Sequence, residues 1–160
     1  MPVENLVGVE HEGWGIGKYL LAHERMGGGS LGQHKALLRQ LKHISGLEEA
    51  GGGSPLANDQ GFAREIASIE VELGTLEAFN LRAIDKVSRA GDLGAQALGM
   101  EANVFKIRNT EIHQRLTELK MQALGYYASP YVFGALTQGW NEPPVGAEYA
   151  NGATPAYMHY

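Results

Sequence analysis

The 160-residue chain contains no cysteine. Disulfide frameworks, thiolate nucleophiles and Cys-ligated metal sites are therefore excluded together. No apolar run comes near the roughly 20 residues that span a bilayer. The opening MPVENLVGVEHEGWG lacks the basic start and apolar core of a secretory leader. A soluble, cytoplasmic protein with no membrane partner is the expectation. Positive charge is also scarce: 13 Lys and Arg stand against 18 Asp and Glu, a net charge of −5. A nucleic-acid binder that works by neutralising phosphates needs the opposite balance. Three of the six prolines fall in one late stretch, NEPPVGAEYANGATP.

Glycine is plentiful, with 22 residues clustering at 27–29 and 51–53. The string GGGS occurs at 27–30 and again at 51–54. The first copy interrupts a helical pattern. The second reads as a flexible connection between two helices.

Apolar spacing predicts three long helices. In the first, about 12–45, Trp14, Leu20, Leu21, Leu31, Leu38 and Leu41 share a broad face, and Lys42, His43 and Gly46 mark the end. The second, about 59–90, starts at a cap from Asn58 or Asp59. It carries Phe62, Ile66, Ile69, Leu73, Leu76, Ile84 and Val87, with Phe79 beside the stripe, and Gly91 closes it. Glu65, Glu70, Glu72 and Glu77 flank this stripe and read as a solvated face. The third, about 93–124, carries Phe105, Ile112, Leu116, Leu119 and Ala123 and ends at Gly125. Residues 1–10 read as the end of a strand or an extended segment. The expected fold class is all-α, an up-down helical bundle with three long helices and a truncated fourth.

Motifs for several chemistries are missing. A di-iron bundle needs Glu-x-x-His steps, but the residues three past Glu24, Glu70 and Glu111 are Gly27, Leu73 and Gln114. His23-Glu24 does not continue to a second histidine, so the H-E-x-x-H zinc motif fails. No metal site is expected, and the six histidines read as surface or core-edge residues. GWGIGK at 13–18 matches neither dinucleotide-loop nor P-loop spacing.

KYLLAHERMGGG, at 18–29, is harder to dismiss. The helical neighbours of Glu24 are Leu20, Leu21, Gly27 and Gly28, none of them a cation. Arg25 points about 100° away around the axis. Burial of such a carboxylate would raise its pKa toward that of a general base. Three glycines inside a helix cost about 3 kcal/mol relative to alanine, so either the helix breaks or the space beside Glu24 is kept clear for a ligand. The plainer alternative is an exposed carboxylate at the rim, or one paired across to another helix.

At this point the residues resemble a known family. VENLVGVEHEGWGIGKYLLAHER is similar to the junction between the middle β-domain and the C-terminal helical domain of acyl-CoA dehydrogenases. ASIEVELGTLEAFNLRAI and FKIRNTEIHQRLTELKMQALG resemble its next two helices. The resemblance is strongest to the branch that holds the pimeloyl-CoA dehydrogenase large subunit and enzymes of steroid side-chain thioesters. It implies FAD-dependent α,β-dehydrogenation of an acyl-CoA to the trans-2-enoyl-CoA, with electrons passing to an electron-transfer flavoprotein. It further implies Glu24 as the base with Arg25 beside it, the placement found in isovaleryl-CoA dehydrogenase. Leu20, Gly27, Gly28 and Leu31 would line the acyl pocket, the missing side chain at Gly28 suiting a bulky acyl group. Gln122, Leu124 and Gly125 match the Gln-x-x-Gly step that contacts FAD, often across a subunit boundary.

There are departures from the family pattern. Tyr126 replaces the usual second glycine, and HISGLEEAGGGSPLANDQGF stands where an Arg-x-x-Phe-Gly motif normally binds FAD. The resemblance also implies that residues 1–11 are the exit of a missing β-domain and that 12–160 form a helical domain incomplete at its C-terminus, inactive alone. The rival reading is a non-catalytic oligomerisation module, or one subunit of a heteromeric dehydrogenase, forming a homo- or hetero-oligomer.

Overall fold

The computed structural model describes residues 2–24 and 30–129. Four α-helices occur among them: α1 (Gly13–Glu24), α2 (Ser30–Leu47), α3 (Gln60–Arg89) and α4 (Met100–Leu124). No strand occurs among the described residues, so the fold is all-α. Residues 25–29, which join α1 to α2, and the region expected to begin a fourth bundle helix lie outside the described residues.

Helices α2, α3 and α4 each pack on the other two. Cross-helix polar contacts give their directions. Lys35 pairs with Glu77 at 2.6 Å and Lys42 with Glu70 at 2.5 Å, so α2 and α3 are antiparallel. Lys86–Glu101, at 2.6 Å, and Arg115–Glu72 set α3 antiparallel to α4. The Ser30 hydroxyl donates to Asn109 at 2.7 Å, and Lys120 Nζ donates to Gln40 at 2.9 Å, so α2 and α4 run parallel. This is the expected up-down order. It also corrects the reading of the acidic flank of α3. Glu70, Glu72 and Glu77 are not merely solvated; they reach cations on α2 and α4, and Glu65 joins Glu72 on Arg115.

The core lies where the three helices meet. Leu41, Ile44 and Ile69 are fully buried, and Leu38, Leu73, Leu76, Phe105, Ile112, Leu116 and Leu124 close around them. Phe79 stacks on Phe105, with ring centroids 6.2 Å apart. The stripe expected on α4 is buried as read. That on α3 drifts: Asn80 and Ala83 take the inner face, while Ile84 is half exposed. The buried face keeps steps of three and four through Ile66, Ile69, Leu73, Leu76, Asn80 and Ala83, and Ile84 falls one position off it.

Boundaries differ from expectation in several places. Asp59 caps α3, accepting from the Phe62 amide at 2.8 Å. Gly46 lies inside α2 and does not end it. The third helix does not begin at 93; residues 91–98 form a 3-10 segment, with Gly91, Gly94 and Gly99 at positive φ. These left-handed positions stop an α-helix from propagating back past Met100. The expected extended N-terminus is instead a 3-10 turn over Val3–Asn5. Nor is the 51–54 loop a free linker. Ala50 N–H donates to Ser54 O at 2.9 Å and Leu56 N–H to Glu48 O at 2.7 Å, while Gly51, Gly52 and Gly53 supply positive φ.

The first helical stripe fails at its front half. Leu31, Leu38 and Leu41 are core, but Trp14, Leu20 and Leu21 are exposed. Helix α1 packs on the 91–98 segment rather than on the three-helix core.

Candidate functional site

Glu24 is the last residue of α1. Its side chain is 62% exposed and faces Lys106 of α4, with Oε1 3.6 Å from Nζ. Glu24 is therefore not buried; the plainer alternative, an exposed rim position with a partner on another helix, describes it. His23 folds back on its own helix, its Nδ1 2.8 Å from the Tyr19 carbonyl and its ring 4.2 Å from the Tyr19 ring. That leaves Glu24 as the acidic group at this end of α1. One turn earlier, Leu20 is exposed.

Lys106 and Asn109 lie one turn apart on α4. Lys106 meets Glu24, and Asn109 accepts from Ser30, the first residue of α2. The two ends of the 24–30 stretch are thus held by neighbouring side chains of one helix. Sequence spacing did not single out either residue. Lys106 sits beside the apolar stripe, whereas Asn109, four past Phe105 and three before Ile112, is a half-buried polar member of it, and only the parallel pairing of α2 with α4 shows what they face.

The other expected site residues are dispersed. Leu31 packs into the core with α3 and α4. Arg25, Gly27 and Gly28 lie outside the described residues. Gln122, Leu124 and Gly125 stand at the far end of α4, about 24 Å along the axis from Lys106 at 1.5 Å per residue. Gln122 is exposed, while Leu124 is buried in the core and can offer a ligand only its backbone. Gly125 has φ 52°, and among the described residues, its chain neighbours aside, no atom lies within 4 Å of where its Cβ would stand. An exposed amide side chain beside an open glycine fits one edge of a flat cofactor. Glu24 and this edge do not meet within one chain.

Between these ends, the α2/α4 interface holds a buried polar seam that composition does not reveal. His34 is fully buried, against the expectation of a surface or core-edge histidine. Its Nδ1 has no hydrogen-bond partner among the described residues, and its ring lies 5.3 Å from that of His113. Desolvation, and secondarily His113, lower its pKa from 6.5 to about 4, so it is neutral at pH 7. Lys120 is buried further along, bonded to Gln40, and burial lowers its pKa. Among the described residues no group of three or more His, Asp or Glu could hold a metal ion. No helix there is long and apolar enough to cross a membrane.

A helical domain with a carboxylate at the end of its first helix, and an open Gln-x-x-Gly step at the end of its last described one, was compared with known proteins. The family model for the acyl-CoA dehydrogenase C-terminal domain matches residues 11–142. The chain belongs to the acyl-CoA dehydrogenase family. Comparison with curated proteins gives no match. The acyl-CoA dehydrogenase match spans α1 to α4 and so includes both Glu24 and Gln122–Gly125.

Proposed function

We propose that this chain serves as the C-terminal domain of an FAD-dependent acyl-CoA dehydrogenase, with Glu24 as the base that removes the α-proton of the thioester. The observation that carries the reading is the position of Glu24: an exposed carboxylate ending α1, inside a chain that belongs to this family. FAD, when bound, supplies the hydride acceptor. This chain's part is to present the carboxylate, with Arg25 beside it, and to receive the acyl group against the exposed Leu20, with Gly27 and Gly28 adding no side chain there; Leu31, a core residue, stands behind this wall. Gln122 and the backbone of Leu124 and Gly125 would hold one edge of FAD. Their separation from Glu24 fits a cofactor shared between neighbouring subunits, homomeric or heteromeric. The product would be the trans-2-enoyl-CoA, with electrons leaving to an electron-transfer flavoprotein. A bulky or branched thioester, such as one of the steroid side-chain kind, suits the missing side chain at Gly28, and the linear pimeloyl thioester is the other substrate that the resemblance suggests. Residues 1–11 would be the exit of a β-domain, without which the chain is inactive.

The test is product analysis. The FAD-loaded enzyme assembled with its β-domain, supplied with acyl-CoA thioesters and an electron acceptor, is expected to form 2-enoyl-CoA. Absence of enoyl product across linear and bulky thioesters would overturn the assignment.

A second reading is favoured by the outer faces of α3 and α4. Val71, Val104 and Ile107 are exposed there beside a groove of about 390 Å³ floored by Leu76, Phe79, Phe105 and Ile112. Exposed apolar faces of this kind favour association with a second copy. In this reading the chain is an oligomerisation module without catalysis. Light scattering of the purified chain tests it, because a clean monomer at high concentration contradicts it.

A further inference from the structure

Two polar contacts bracket the glycine-bearing stretch, and both come from one face of α4. Residues three apart on a helix are neighbours on its surface. Lys106 and Asn109 have that spacing. Lys106 Nζ lies 3.6 Å from Glu24 Oε1 at the end of α1, and Asn109 Oδ1 lies 2.7 Å from Ser30 Oγ at the start of α2. The second contact is partly buried and the first is exposed.

Helix α1 makes its larger contact with the 91–98 segment, and Trp14, Leu20 and Leu21 are exposed along it. The packing of α1 itself therefore gives Glu24 little restraint. Helix α4 is suited to give it, because Phe105, Ile112 and Leu116 anchor it in the core.

We propose that Lys106 and Asn109 are positioning residues. Together they form a two-point clip by which α4 fixes the Glu24 carboxylate relative to the start of α2. Lys106 sets where the carboxylate points. Asn109 holds Ser30, the first residue of α2, from the same face of α4. The catalytic half of this proposal rests on Glu24 being the base; the clip itself does not.

The two halves separate experimentally. Amide hydrogen exchange is measured on the full chain, without substrate, for the last turn of α1 (21–24) and the first turn of α2 (30–34). The variants are Glu24→Gln, Lys106→Met, the double variant, Lys106→Arg and Asn109→Ala. Lys106→Met is expected to speed exchange in the last turn of α1 about threefold, in line with a surface ion pair worth under 1 kcal/mol. Lys106→Arg should restore protection. The double variant should match Glu24→Gln alone, because Lys106 acts through that carboxylate. Asn109→Ala should speed exchange at the start of α2 and, to a smaller degree, at the end of α1. Additive effects of Glu24→Gln and Lys106→Met, or unchanged exchange at both sites, would overturn the clip. In the FAD-loaded enzyme, Lys106→Met should lower kcat several-fold with KM little changed, and Lys106→Arg should recover it. Full turnover by Glu24→Gln would overturn the catalytic half while the exchange coupling still decides the clip.

Discussion

His34 shows how a single residue can carry a pH dependence that composition hides. It is buried on α2 with His113 beside it and Lys120 further along the same seam. The unfolded chain takes up the His34 proton near pH 6.5, whereas the folded chain does so only near 4. Between these values the unfolded state binds more protons, so stability rises with pH. His34's contribution is complete above pH 6.5, falls as pH drops toward 4, and levels off below. The loss is at most about 3 kcal/mol. Urea midpoints at pH 7 and pH 4.5 should therefore differ more for the wild type than for His34→Leu. Removing the orphaned Nδ1 should also leave the leucine variant at least as stable at pH 7. An unchanged pH slope in His34→Leu would contradict this account. Its place was legible in part, because His34 stands three past Leu31 and four before Leu38, in line with the stripe that α2 buries; what the sequence does not show is His113, brought opposite by the parallel docking of α4.

At the scale of elements, legibility follows how local the cause is. The Asp59 cap, the stripe from Phe105 to Ala123 and the stops at Gly91 and Gly125 are local, and all are present. What was missed depends on partners. Trp14 and Leu20 have the right spacing for a core face, but α1 lies against the 91–98 segment instead of the bundle. The glutamates of α3 look like a wet face until α2 and α4 bring Lys35, Lys42 and Arg115 opposite them. Two stability measurements check this level. Asp59→Ala should cost about 1 kcal/mol through the lost N-cap. Leu41→Ala, at the meeting point of the three helices, should cost about 2–5 kcal/mol. Equal, small losses in denaturant melts would mean that the core is placed wrongly.

For the whole molecule, the two proposed sites stand apart along the length of α4. At one end Lys106 meets Glu24; about 24 Å away Gln122 and Gly125 stand open. The candidate site is proposed from its motifs, Glu24-Arg25 and Gln-x-x-Gly, which resemble the family's residue types. Spacing left open a buried carboxylate or an exposed one at the rim, and the structure has it exposed, 3.6 Å from Lys106 of α4. Gln122→Ala should weaken FAD retention, read as flavin absorbance after gel filtration of the assembled enzyme, and leave the helical melt unchanged. The central claim concerns Glu24, and flavin reduction in a single anaerobic turnover tests it most directly. With acyl-CoA in excess, Glu24→Gln is expected to lose bleaching of the oxidised flavin band by a factor of about 100 or more, the scale of a missing general base. Glu24→Asp should fall between the two. Bleaching by Glu24→Gln at the wild-type rate would contradict the account and return Glu24 to the role of a surface carboxylate paired with Lys106.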